Sequence, residues 1–356
     1  MARYEFDVKV LGTTVLQDVQ NISIQRGRQQ VQDPFKAATA TVEGLNPNLL
    51  PSLQIGDKIE ITCPSPTFVA MFYGFISDIK INYGFVPNED VWTIYCEDYL
   101  AVGGRALTPT TGVINGGNTA NAANFIGFQS GVNVLSLGST TTTTSVQTVS
   151  NQNLLSVLQQ LAFTEQGRLY GRENDIYFGT RNEVGTFNVG SFTDGSLVAA
   201  NAPIPFNRME FYSQADSYFT QAVVEPEGLA SQSAGTGNRV FSGSSYNSTT
   251  SAALDLANYV LATLQVNQDF PQTISCISEN QINDAALIMA ATAGEGIQGE
   301  AILRGFRYPI FIEGSTLTAS PEETFFTFNV VSTEANNFFI LDSSTFGILG
   351  TNRLGL

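Results

Sequence analysis

The sequence predicts a mainly β fold with some α: two antiparallel β-barrels and a small α/β domain inserted between them. Three observations predict it. Residues 4–99 and 206–341 carry many short segments in which apolar and polar residues alternate, the period of a strand with one buried face. In the middle of the chain, Leu154, Leu155, Leu158, Leu161 and Ala162 fall at helical spacing. Residues 87–94, PNEDVWTI, are echoed by residues 321–328, PEETFFTF: proline, acid, two bulky groups, threonine and an apolar residue. Each copy follows a strand and a turn and opens another strand, so the chain reads as two β units of one type.

The first unit spans residues 1–104. Tyr4, Phe6, Val8 and Val10 alternate with polar residues and make a strand, which sets MARYEFDVKVLG apart from a signal peptide. Val19 to Glu43 reads as a hairpin. Ile22, Ile24 and Arg26 lie on one face of its first strand, and Ala38, Ala40 and Val42 on one face of its second. Pro34, which cannot donate to a ladder, sits in the connection. Residues 55–62, 68–83 and 91–99 follow as strands, for a barrel of six or seven strands.

Residues 105–205 read as the inserted α/β domain. A Gly/Thr/Pro linker over 103–118 leads to a weak helix from Thr119 to Phe128. The Thr-rich stretch 138–150 reads as an exposed loop with some extended structure. The strong helix at 154–162 has Ser150 or Asn151 as its expected cap and Gly167 as its expected left-handed stop. Arg168–Tyr170 and Ile176–Phe178 then form a hairpin around Glu173–Asp175.

Residues 206–356 read as the second unit. Tyr218–Val224 is a strand. Pro226 to Ser251, rich in Gly, Ser and Asn, reads as a long loop. Ala252–Val266 is an amphipathic helix and Asn283–Ala291 a shorter one. Strands fall at 272–277, 300–305, 308–312, 325–333 and 338–341.

Composition excludes several functions. The 356 residues carry 32 acidic against 16 basic side chains, a net charge of −16, and no cluster of Lys and Arg. That argues against stable nucleic-acid binding and against docking on an anionic membrane. No apolar run is long enough to span a bilayer. The absence of histidine removes the Ser-His-Asp and Cys-His nucleophiles and His-ligated metals. Cys63, Cys96 and Cys276 lack metal-ligand spacing and read as packed thiols. No cofactor or metal site is expected.

Adjacent carboxylates such as Glu97/Asp98 and Glu322/Glu323 point to opposite faces of a strand, so neither pair can converge on one bond, and no catalysis is expected. Trp92 sits in a strand pattern and reads as core, against a carbohydrate platform. Arg26 and Arg28, near a strand end in an acidic chain, are the candidate inter-subunit contacts.

The words of the chain go further than its pattern. ISIQRGR…DPFKAATATVEG resembles the opening of minor tail proteins of long-tailed bacteriophages. FYGFISDIKI followed by VWTIYCEDYLAVGG, then LLSVLQQLAFTEQGRLYGRENDIYFGTRNE, then LDLANYVLATLQ, and last FFILDSSTFGILGTNRLGL resemble the same family in the same order. The resemblance implies a baseplate-hub-like fold with two tail-tube-type barrels and an inserted domain per subunit. Three such subunits would form a homotrimer whose six barrels match a sixfold tube above and a threefold tip below. It implies assembly in the host cytoplasm, residence at the virion tail tip and a part in host attachment. The implied partners are a distal tail or tube ring, tip or fibre proteins and the tape measure. DNA would pass through the ring without binding stably, and the acidity would keep phosphates off its wall; surface solubility accounts for the acidity equally well. The rivals are a hexameric distal tail ring with one barrel per chain, and a receptor- or carbohydrate-binding tip module.

Overall fold

The computed structural model describes residues 6–12, 14–29, 33–64, 69–84, 90–138, 140, 142–180, 188–197, 203–211, 219–265, 270–277, 284–292, 298–332, 338–339 and 353–354. Most of the C-terminal motif FFILDSSTFGILGTNRLGL lies outside them. The fold is mainly β with some α, as the alternation predicts.

The first seven strands are β1 (Asp7–Val10), β2 (Thr14–Val15), β3 (Val19–Gly27), β4 (Thr39–Leu45), β5 (Lys58–Cys63), β6 (Val69–Asn82) and β7 (Val91–Glu97). They pair antiparallel in the order β2-β1-β5-β6-β7-β4-β3. The inward residues Val8, Ile22, Ile24, Val42, Ile59, Ile61 and Ile94 are those the period-2 pattern selects.

The middle of the chain holds α1 (Leu100–Arg105), β8 (Val113–Ile114), β9 (Gly117–Asn118), α2 (Thr119–Gln129), β10 (Val134–Leu137), β11 (Thr143–Thr144), β12 (Gln147–Thr148), α3 (Leu154–Glu165), β13 (Arg168–Arg172) and β14 (Asp175–Gly179). A second core forms here, with Leu154, Val157, Leu158 and Leu161 of α3 against Ile126, Ile176 and Phe178. The cap of α3 is Asn153, whose side chain accepts from the Ser156 N–H at 3.1 Å, not Ser150 or Asn151. Its left-handed stop is Gln166, φ 58°, not Gly167. Gly167 serves a different need, since a Cβ there would overlap the Gly179 carbonyl of the paired strand. The Thr-rich stretch is less exposed than its composition suggests. β11 and β12 pair with β9 and β8, and the buried Thr144 hydroxyl donates to the carbonyls of Asn115 (3.0 Å) and Gly117 (3.2 Å). Threonine satisfies the backbone with its hydroxyl while its methyl packs, which a reading by polarity misses.

The remaining elements are β15 (Asn188–Thr193), β16 (Pro203–Pro205), β17 (Arg208–Glu210), β18 (Gln221–Pro226), β19 (Gln232–Gly235), β20 (Val240–Ser245), α4 (Thr250–Gln265), β21 (Thr273–Ile277), α5 (Asp284–Thr292), β22 (Gln298–Leu303), β23 (Phe306–Ala319), β24 (Thr324–Ser332), and β25 (Phe338–Phe339) paired parallel with β26 (Arg353–Leu354) in a sheet of their own. The stretch 226–251 is not a loop. It supplies β19 and β20, which flank β18; β18 and β19 pack on α4 around a third core of Ala222, Val224, Ala234, Ala253, Leu256 and Ala257, and β20 lies against α3. Gly and Ser keep that sheet thin, so composition imitates a loop while the inward positions stay apolar. β15 and β16, within 105–205, join β22 and bury Phe192 and Ile204 in the first core, so the second core ends near residue 180.

The two β units are one sheet. β23 pairs antiparallel with β3, with Gly314 opposite Gly27 and Leu317 opposite Ile24, and this joint makes a 14-stranded sheet over a single core. Among the described residues neither unit closes on itself as a separate hydrogen-bonded barrel. The second edge of β3 is taken by β23.

The sequence echo is a repeat of sheet geometry. β6 and β23 are each 14 residues long, and each is followed by the echoed motif and the strand it opens, β7 or β24. In the first pair the register slips between Ile76 and Asp78 opposite Cys96 and Tyr95. In the second it slips between Ile312 and Gly314 opposite Val330 and Asn329. Under the echo's alignment these are the same position, so Ser77 and Glu313 are equivalent bulge residues. Trp92 and Phe326 are likewise equivalent and both fully buried.

Candidate functional site

The joint between the two β units is where the chain concentrates its buried charge. β3 ends in Gly27 with φ +68°, and a Cβ there would overlap the Glu313 carbonyl. A Cβ on Gly314 would lie 2.6 Å from the Arg28 carbonyl oxygen and 2.7 Å from that of Arg26. Two facing glycines therefore let the strands approach just beyond the bulge, and the bulge turns Glu313 into the interior.

Glu313 is 2% exposed. Arg28 Nε donates to its Oε2 at 2.7 Å, and Arg168 donates to both oxygens, at 3.1 and 3.0 Å. Arg28 also lies over the Phe35 ring at 4.6 Å, and Arg168 over Phe311 at 5.6 Å. Burial pushes the Glu313 carboxyl up, but the Arg168 and Arg28 guanidiniums outweigh it and hold the pKa at about 2. Arg28 follows β3, Arg168 comes from β13 and Glu313 from β23, so one cluster ties the large sheet to the middle domain. Tyr259 of α4 feels the same charge: desolvation first and the Glu313 carboxylate second raise its phenol above the ordinary value.

The two arginines expected to reach a neighbouring subunit are engaged within the chain. Arg28 holds Glu313. Arg26 donates to the Thr292 carbonyl at 3.3 Å and to the Met71 carbonyl, which pins the end of α5 and β6 to β3. Glu313 and Arg168 were not singled out by sequence. The available signal was an acid inside the apolar run YPIFIEG, where period-2 alternation predicts an apolar or solvent-facing residue.

The expected carboxylate pairs do not converge. Glu97 pairs with the exposed Arg105. Asp98 is buried and accepts from the N–H groups of Leu100 (3.0 Å) and Gly171 (3.2 Å). Desolvation raises the Asp98 carboxyl to about 6 against these bonds and the Arg26 charge. Glu322 and Glu323 are exposed in a turn closed by Ser320. Trp92 is fully buried and donates its indole N–H to the Leu45 carbonyl at 2.8 Å. Cys63, Cys96 and Cys276 are buried in the first core, and burial pushes the Cys96 and Cys276 thiols up to about 12. Among the described residues no cluster of three or more Cys, Asp or Glu is placed to hold a metal ion, and no helix is long and apolar enough to cross a membrane. A cavity of about 280 Å³ lies between α3 and α4, lined by Phe35, Phe163, Phe241, Leu256 and Val260, with Arg28 at its edge.

No family model matches the chain, and no curated protein sequence does. Solved structures do match over nearly its whole length. A tail protein from Neisseria meningitidis MC58 has a TM-score of 0.66 at 12% identity, covering 94% of this chain and 98% of that one. The 43 kDa tail protein of prophage MuSo2 from Shewanella oneidensis has a TM-score of 0.62 at 12% identity, covering 93% and 98%. The E. coli c3393 protein, a component of the type VI secretion system with structural similarity to the T4 bacteriophage tail proteins gp27 and gp5, has a TM-score of 0.56 at 9% identity, covering 91% and 76%. With its sheet order, its buried joint and these likenesses in view, the chain has the fold of phage tail proteins.

Proposed function

We propose that the chain is a structural subunit of a phage tail tip, a hub that forms a homotrimer between a sixfold tube and a threefold tip. The observation that carries this reading is the repeated register of β6·β7 and β23·β24, bulge included. Two equivalent β units per chain let three copies present six. A hexameric distal ring needs only one unit per chain, and the repeat weighs against it. The work done is mechanical rather than catalytic: the buried carboxylates of Glu313, Asp98 and Glu165 are held by arginines, by backbone N–H groups and by the Thr119 hydroxyl. We take residues 1–104 as the first unit, the inserted domain as beginning at 105 and ending near 180, and the later chain to 356 as the second unit.

Further parts of the reading follow from the ring. The subunit contacts a distal tail or tube ring on one side and tip or fibre proteins on the other, with the tape measure in the channel before ejection. It assembles in the host cytoplasm and stays at the virion tail tip, in reach of the host surface. Three copies at −16 each line a channel that repels phosphate, so DNA passes without sticking. Acidic side chains mapped to the outside of the ring would remove the channel argument.

Quantitative mass spectrometry of purified virions tests the proposal. Three copies per particle agree with the hub. Six copies favour the distal ring, and absence from the particle contradicts a structural role.

A further inference from the structure

The joint inside the chain uses one edge from each β unit and, among the described residues, leaves the matching pair of edges open. The alignment of the two units is set by registers already given. A shift of 236 residues carries Ile76 to Ile312 and Asp78 to Gly314. Ile94 pairs with Val42, and its equivalent Phe328 pairs with Ile274, so Val42 and Ile274 correspond. Val42 pairs with Ile22, and Ile274 pairs with Met209, so β3 and β17 correspond with Ile22 at Met209.

In the joint, Ile24, Ser23 and Ile22 of β3 face Leu317, Thr318 and Ala319 of β23. The equivalent set is Phe211, Glu210 and Met209 against Ile81, Asn82 and Tyr83. Among the described residues these two edges do not meet within the chain. β6 pairs only with β5 and β7, and β17 only with β21, among the described residues.

Exposure marks the same residues. Ile24 and Leu317 are 3% and 2% exposed, paired across the joint and packed in the first core beneath it. Their equivalents Phe211 and Ile81 are 37% and 39% exposed, and Tyr83 is 75% exposed. Large apolar side chains on an open strand edge invite pairing with another strand. Lys80 lies diagonal to Glu210 on one face in this register, beside the Arg208 and Thr273 that Glu210 already engages within the chain.

We propose that the open edge of β6 over residues 78–83 pairs antiparallel with the open edge of β17 of a second copy, with Ile81 opposite Phe211, Asn82 opposite Glu210 and Tyr83 opposite Met209. The contact repeats the intramolecular joint between chains. It is head-to-tail, so it forms a ring if the rotation closes. The pairing follows from the internal repeat, and its closure at three rests on the hub reading above.

The test is disulfide trapping in the full chain. Residues directly opposite in an antiparallel pair sit with Cα atoms about 4.5–5.5 Å apart, within disulfide reach. Oxidation of the Asn82→Cys/Glu210→Cys variant is expected to give covalent oligomers ending at three chains. The Asp78→Cys/Glu210→Cys variant, four residues out of register, is expected to stay single. Ile81→Arg, a change at an exposed position, is expected to abolish association while leaving the circular dichroism spectrum unchanged. A trimer by light scattering in which only the out-of-register pair links, or neither links, overturns the joint and leaves the ring. A cross-linked ladder running past three keeps the joint and overturns the threefold closure. A monomer with no cross-link at any concentration overturns both.

Discussion

Glu313 shows what one residue carries in this chain. It is a fully buried carboxylate with two buried or half-buried guanidiniums, and removing its charge strands both of them. Glu313→Gln is expected to destabilise the fold by about 3–5 kcal/mol, measured by urea unfolding at pH 7. The pH dependence has a definite sign. A carboxyl held at about 2 instead of the ordinary 4.5 adds stability above pH 4.5, and that stability drains as pH falls toward 2. Asp98 works the other way. Its pKa of about 6 against the ordinary 3.8 means that its ionisation costs stability above pH 6, and protonation relieves that cost as pH falls from 6 toward 4. Melting temperature followed from pH 7 to pH 3 should therefore rise slightly before it falls. Asp98→Asn should remove the rise, and Glu313→Gln should flatten the fall. A steady decline from pH 7 in both the parent and Asp98→Asn would contradict the Asp98 assignment.

At the scale of elements, the joint depends on glycines more than on side-chain contacts. Gly27→Ala places a methyl on the Glu313 carbonyl at a positive φ and should cost about 2 kcal/mol or more, through both the overlap and the backbone. Gly44→Ala drives a methyl into the Trp92 ring, so it should shift the tryptophan fluorescence as well as lower the midpoint. The end of α3 predicts a gain. Gln166 holds a left-handed conformation that glycine takes freely, so Gln166→Gly should stabilise by about 0.5–1 kcal/mol in thermal unfolding. Period-2 alternation made β3, β4, β5 and β7 legible in the sequence, because each has one apolar face over a large core. The same rule missed β19 and β20, where small inward residues under α4 and α3 look like linker. It misread Gly167 as a helix stop because spacing cannot distinguish a glycine needed for φ from one needed for room. The charge cluster was half legible. Arg26 and Arg28 stood out as basic residues at a strand end, but the Arg28 partner Glu313 lies hundreds of residues away, on a bulge that only the sheet register reveals, and Arg26 is held by the carbonyls of Met71 and Thr292.

For the whole molecule, the short echo between residues 87–94 and 321–328 was the most informative signal in the chain. Eight residues of loose similarity proved to open strands with equivalent partners and an equivalent bulge, while the rest of the two units diverged around them. The divergence is physical. The first unit receives β1 antiparallel on β5, the second receives β15 parallel on β22, and only the second carries the extra sheet and α4 between its strands. A chain built this way holds two like units at fixed geometry through the β3·β23 joint and the Glu313 cluster. That is what a threefold assembly needs to present sixfold spacing. The rotational symmetry of this chain in electron-microscope reconstructions of the assembled tail tip tests that claim most directly. A threefold ring with two β-unit lobes per subunit, six in all, is the expected result. A sixfold ring with one lobe per subunit would contradict it.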